Sequence, residues 1–145
     1  MIIVANEAGI VMNEDAVKAF PDECCGFMFG HEDEEGNRVV TKALPIDNSA
    51  QENRKRRFVI APKDYMKGEQ FAADNDLQLL GIYHSHPDHP AIPSEHDRVA
   101  AQPWFSYVII SVSKDGVKNA RSWVLNEEFQ FDEEAYTNQL TNTKQ

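Results

Sequence analysis

Apolar and polar positions along the chain alternate with two different periods, and together they predict strands separated by a few helices. Ile2 to Val4 reads as a short strand. Asn13 reads as an N-cap, with Glu14 and Asp15 placed in a first helical turn. Ala16, Val17, Ala19 and Phe20 then supply an apolar face, and Pro21 stops the helix. Cys24 to Gly30 is apolar enough for a buried strand. Turn signals at Glu35-Gly36-Asn37 join it to a second strand, Arg38 to Leu44, as a hairpin. A polar stretch from Pro45 to Arg57 follows, then a short strand, Phe58-Val59-Ile60, ended by Pro62. Lys63 to Leu77 has helical spacing, with Met66, Ala73 and Leu77 on one face. Leu79 to Tyr83 reads as a strand that runs straight into His84-Ser85-His86. After a loop with Pro87, Pro90 and Pro93, Ser94 opens a short helix that ends before Pro103. Phe105 to Ser113 and Val117 to Leu125 form a hairpin around Asp115-Gly116, and Phe129 and Phe131 alternate on a last strand. This order predicts an α/β fold, one domain with a mixed sheet.

Composition narrows the class. The 145 residues suit one domain with a real core, without a disulfide framework. Lys plus Arg is 14 against 24 for Asp plus Glu, a net charge of −10, which argues against coating nucleic acid or docking on an anionic membrane. The longest apolar stretches fall far short of a spanning helix and no charged-then-apolar leader opens the chain, so a soluble, cytoplasmic protein is expected. The dense basic run Arg54-Lys55-Arg56-Arg57 reads first as solvated surface. The two cysteines, Cys24 and Cys25, are adjacent, poorly placed to bridge one another, and outside any CxxC pattern. They read as small buried hydrophobes.

The chemistry gathers around His84, His86, Ser94 and Asp97. On a strand, His84 and His86 project to one face. At a helix start, Ser94 and Asp97 share a face as well. A stiff, proline-rich loop can fold that helix back over the strand end. Two imidazoles and a carboxylate then converge with a fourth position open, the arrangement of a catalytic zinc site. Ser94-x-x-Asp97 also reads as a helix-capping pair. His89 and His96 lie near but are not expected to be ligands; His96 points about 100° away from Asp97 around the helix. Zinc hydrolysis needs a general base, and no HExxH supplies one. Glu23 is the best-placed candidate, at the junction of a helix stop and an apolar strand, although an ordinary loop carboxylate would read the same way.

Glu23, His84-Ser85-His86, the seven residues Pro87 to Pro93 and Ser94-Glu95-His96-Asp97 together resemble the JAMM signature of the MPN+ metalloproteases. Pro21-Asp22-Glu23-Cys24-Cys25-Gly26 and Tyr83 to Pro90 are similar to the small prokaryotic branch, and the resemblance runs from about Asn13 to Leu125. It implies a single MPN domain of cytidine-deaminase-like architecture, a mixed β-sheet flanked by helices, over residues 1–136, with a polar C-terminal tail at 137–145. It implies Zn²⁺, one ion per domain, on His84, His86 and Asp97, Glu23 as general base and acid, and Ser94 as oxyanion donor. The substrate implied is a small ubiquitin-like or sulfur-carrier protein, cut after a C-terminal Gly-Gly.

Other readings stay open. One is a deubiquitinase-like isopeptidase that frees such a modifier from lysine. Another is a non-catalytic scaffold of the same fold, disfavoured because Glu23 and Ser94 are present. A zinc nucleoside deaminase is disfavoured because H-x-E and P-C-x-x-C are absent. Only seven residues separate Asp97 from Phe105, too few for the chain-selecting insertion of larger relatives, which favours a small carrier over polyubiquitin. Arg54, Arg56 and Arg57 are the expected contacts for its acidic body.

Overall fold

The computed structural model describes residues 1–139. In chain order, β1 (Ile2–Val4) leads into α1 (Asn6–Ala19), β2 (Cys25–Glu32), β3 (Arg38–Ile46), α2 (Pro62–Asp74), β4 (Gln78–Pro87), α3 (Glu95–Ala100), β5 (Ser106–Ser113), β6 (Gly116–Leu125), β7 (Phe131–Glu134) and β8 (Tyr136–Asn138). The strands form one mixed sheet in the order β7-β6-β5-β4-β2-β3-β1-β8. Both expected hairpins are present: β2 with β3 and β5 with β6, each antiparallel. Next to the antiparallel central pair of β4 with β2 lies a parallel pair, β4 with β5, whose crossover carries α3.

The sheet divides the interior in two. On one face α1 packs Ala8, Met12 and Ala16 against Met28, Tyr83, Val108 and Ile110. On the other, α2 covers Phe27, Phe29, Ile82 and Tyr107. Burying a side chain the size of Met12 or Phe27 contributes about 1.5–3 kcal/mol, so each layer is well secured. Alternation along β2 and the residue just before it deals side chains to opposite layers, Cys24 and Met28 to one, Cys25, Phe27 and Phe29 to the other.

One irregularity decides which layer receives the histidines. Met28 pairs with Gly81 but Phe29 pairs with Leu79, so Leu80 is an extra residue, a β-bulge. Leu79 and Ile82, three apart, therefore both face the α2 layer, while Leu80 and Tyr83 face α1. Beyond the bulge the alternation sends His84 and His86 to the α2 and α3 side and Ser85 to the α1 side. Gly81 suits this point, because a Cβ there would meet the Ser106 carbonyl oxygen at 2.0 Å.

Several local expectations are corrected. The first helix begins at Asn6, and Asn13 lies inside it; the position before the helix is Ala5, which has no side chain with which to cap. The i, i+4 series Ala8, Met12, Ala16 sets the buried face, whereas Val17 is exposed. Phe58 to Ile60 joins no strand ladder. In α2 the buried positions are Asp64, Gly68 and Ala72, not Met66, which is exposed. Phe129 lies in the β6–β7 turn with φ +59°. The sheet runs past residue 136, because Thr137 and Asn138 belong to β8 and pair in parallel with β1. Residues 140–145 of the expected tail lie outside the described residues.

Candidate metal centre and active site

His84 and His86 stand at the C-terminal end of β4, and Asp97 in the first turn of α3 swings in above them. The three residues are buried and bring one donor atom each to a single point. His84 Nε2 to His86 Nε2 is 3.2 Å, His84 Nε2 to Asp97 Oδ2 is 3.3 Å, and His86 Nε2 to Asp97 Oδ2 is 3.2 Å. Ligands at about 2.0 Å from a tetrahedral zinc are about 3.3 Å apart, so these atoms fit one face of such a tetrahedron.

The protons in the cluster support the same reading. His86 Nδ1 lies 2.9 Å from the Pro90 carbonyl oxygen, which can only accept, so Nδ1 carries the proton and Nε2 presents a lone pair. Asp97 Oδ2 accepts from the Ser94 N–H at 2.9 Å, and Ser94 Oγ accepts from the Asp97 N–H at 3.1 Å. This reciprocal cap starts α3 and aims the carboxylate. Three electron-rich atoms with at most one proton among them repel one another unless a cation sits between them. Burial lowers the pKa of His84, outweighing the opposing pull of Asp97, and keeps the ring in the neutral form that a metal needs. Burial alone would raise the Asp97 carboxyl, but the His84 ring and the Ser94 N–H hold it well below the usual carboxylate range. Phe58 stacks on the His84 ring with centroids 4.5 Å apart.

Glu23 lies just before β2 and is 3% exposed. It lines a groove of about 340 Å³ together with His86, Ser94, His89, His96 and Arg56. Its Oε1 is buried without a hydrogen bond. Burial, and secondly the charge of Asp97, pushes its pKa up to about 9. A separate apolar cavity of about 210 Å³ adjoins His84 and Asp97, lined by Phe58, Tyr65, Ile82 and Tyr107 among others.

The remaining expected residues are divided. Arg56 reaches the groove, whereas Arg54 lines a polar cleft on the other side of Glu23 and donates from Nε to the Ala50 carbonyl. Arg57 is exposed, and its carbonyl is held by Asn48. His89 and His96 border the groove but do not belong to the three-residue cluster. Cys24 and Cys25 are buried free thiols; burial raises both, Cys25 to about 12, so neither is a ready nucleophile. Sequence reasoning gave no role to Asn48, Phe58 or the Ser85 hydroxyl, although all three touch the site. Ser85 had one legible signal, its place between two residues that share the opposite strand face.

Comparison with known proteins agrees with this geometry. The family model described as prokaryotic homologs of the JAB domain matches residues 10–126. A protein of Haloferax volcanii named desampylase is 34% identical over 107 residues, 74% of this chain and 73% of that protein. A protein of Thermus thermophilus named a probable TtuB-protein conjugate cleaving protease is 34% identical over 83 residues, 57% of this chain and 54% of its own length. A solution structure of a Desulfitobacterium hafniense protein superposes with a TM-score of 0.83 at 29% identity, covering 95% of this chain and 92% of that one. With the sheet, the donor triangle and the matched family span in agreement, the chain belongs to the prokaryotic branch of the JAB family, the JAMM/MPN+ hydrolases.

Proposed function

We propose that this chain is a zinc-dependent peptidase that hydrolyses the peptide or isopeptide bond after the C-terminal diglycine of a small ubiquitin-like or sulfur-carrier protein. The observation that carries the reading is the triangle of proton-poor donors beside a buried carboxylate whose Oε1 has no hydrogen-bond partner. His84, His86 and Asp97 would hold the ion. When bound, Zn²⁺ supplies Lewis-acid polarisation of the scissile carbonyl and makes water a nucleophile near neutral pH. Glu23 takes the proton from the attacking water and returns it to the leaving amine. The Ser94 hydroxyl uses a lone pair in the cap and keeps its own proton, which it can donate as negative charge develops on the carbonyl oxygen. An extended tail reaching Glu23 and His86 passes through the groove, where glycines leave room for the backbone to approach closely. Arg56 at the groove, with Arg54 and Arg57 on the same exposed loop, would attract an acidic carrier body.

The names of the relatives favour conjugates, so release from lysine is the second reading carried alongside. No helix of the described residues is long and apolar enough to cross a membrane. The test is a panel of ubiquitin-like fusions, linear and lysine-linked, with Gly-Gly or Ala-Ala before the cut. Cleavage of the Gly-Gly members by zinc-loaded protein, and none by Glu23→Gln with zinc retained, is expected. Equal cleavage of both dipeptides would overturn the diglycine reading, and an active Glu23→Gln would overturn the role of the base.

A further inference from the structure

Among the described residues, no hydrogen bond is made to the Glu23 side chain, and its Oε1 is buried without a partner. Something else must aim the group, and its backbone is held at three points. The Glu23 N–H donates to the Arg54 carbonyl at 2.7 Å. The Glu23 carbonyl accepts from Asn48 Nδ2 at 3.1 Å. The Cys24 N–H donates to Ser85 Oγ at 2.8 Å. The last two contacts grip opposite ends of one peptide unit, Glu23–Cys24. A peptide unit is planar and rigid, so holding both ends sets ψ at Glu23, while the bond to Arg54 sets the preceding plane. The Cα–Cβ direction of the glutamate is then fixed without any contact to its carboxylate. We infer that Asn48 and Ser85 are positioning residues that aim Glu23 at the His84, His86 and Asp97 cluster; the inference rests on the function proposed above.

Each residue is specialised for this task. Asn48 spends its whole amide on the loop that leads to the site. Nδ2 donates to the Glu23 and Arg57 carbonyls, and Oδ1 accepts from the Ala50 and Val59 N–H groups at 3.0 and 3.1 Å. Aspartate keeps the acceptor and loses both donors, so Asn48→Asp removes the hold on Glu23 with minimal change of shape. Ser85 lies between two cluster residues and points to the opposite face of β4. Its own N–H also donates to the Cys24 carbonyl at 3.2 Å, so the residue clamps Cys24 from both sides. The strand that carries the histidines thereby fixes their distance from the glutamate.

The experiment uses the zinc-loaded full chain and the variants Asn48→Asp, Ser85→Ala and Ser85→Thr. It measures zinc content, kcat and KM on a cleavable ubiquitin-like fusion, and amide hydrogen exchange. A base displaced by about 1 Å costs about 10²-fold in rate. Asn48→Asp and Ser85→Ala should therefore lose about that factor in kcat, with zinc content and KM unchanged. The Cys24 amide should exchange at least about tenfold faster in Ser85→Ala, as expected when a buried hydrogen bond is removed. Ser85→Thr, which keeps the hydroxyl, should recover kcat and protection. Undiminished kcat in Asn48→Asp and Ser85→Ala, with Glu23→Gln inactive, would overturn this inference and leave the proposed function intact. Loss of zinc, a raised KM or no recovery in Ser85→Thr would also overturn it, since each means the residues act other than through Glu23. If Ser85→Ala does not fold, Asn48→Asp alone decides.

Discussion

Replacing Glu23 by Gln should make the metal-free protein more stable while abolishing its activity. The Glu23 carboxyl has a pKa of 4.5 in the unfolded chain and about 9 in the fold, raised first by burial and then by the charge of Asp97. A carboxyl raised in this way binds a proton more tightly in the native state. Stability therefore falls as pH rises from 4.5 towards 9, and the group costs nothing below 4.5. At pH 7 the difference of 2.5 pH units, at 1.36 kcal/mol each, amounts to about 3 kcal/mol as an upper bound. Gln has the same shape and carries no charge, so Glu23→Gln should recover up to that amount at pH 7, a rise of roughly 6–10 °C in Tm. The assay is urea or thermal unfolding of both proteins in chelator, from pH 5 to pH 8.5. The gain should be smallest at the acid end, grow with pH, and shrink when Zn²⁺ is restored, because a neighbouring dication favours the ionised carboxylate. A gain equal at every pH, or a destabilised variant at pH 7, would refute the reasoning.

His84→Ala, His86→Ala and Asp97→Ala should each weaken zinc binding sharply by metal analysis; full retention in all three would end the assignment. Ser94→Ala should slow turnover by about 10²-fold as a lost oxyanion donor and cost about 1 kcal/mol as a lost N-cap, the first read from kcat and the second from denaturation. Cys24 and Cys25 should resist alkylation in the native protein at neutral pH, and activity should survive thiol reagents and fail with a chelator; the reverse pattern would favour a thiol mechanism.

The donor triangle was legible because its signals are local. His84 and His86 sit two apart on a strand, and the Ser94 and Asp97 pair is a helix-start pattern, so periodicity alone brings each pair to one face. The hairpins were legible for the same reason, from turn residues between apolar runs. The hold on Glu23 was not, because Asn48 and Ser85 act through backbone groups 25 and 61 residues away in sequence. The start of α1 was missed because Ala5 gives no capping signal, and Asn13 offered a false one inside the helix. The apolar neighbours of Phe58 suggest a strand, yet the residue is half-buried by stacking on a histidine and joins no ladder. The β8 segment is short and polar, and only the parallel edge of β1 makes it a strand. Long-range pairing of that kind leaves no periodic trace.

The bulge at Leu80 gives the metal chemistry a dependence on parity. Upstream of it, odd and even positions of β4 serve the opposite layers from those they serve downstream, and Gly81 is where the count is reset. Were the same residues to alternate regularly from Leu79 onwards, with no bulge, both imidazoles would turn towards α1 and the Ser85 hydroxyl towards α3, whereas deleting Leu80 itself would leave Gly81 opposite Met28 and both imidazoles facing as they do. In that unbulged strand the donor set would be lost with every ligand residue still present in the sequence. An insertion of two residues would preserve the facing and only move the site along the sheet. What β4 transmits to its catalytic end is therefore a count of residues, reset once at Leu80, and a length change elsewhere in this strand is to be judged by whether it is odd or even before its composition is considered.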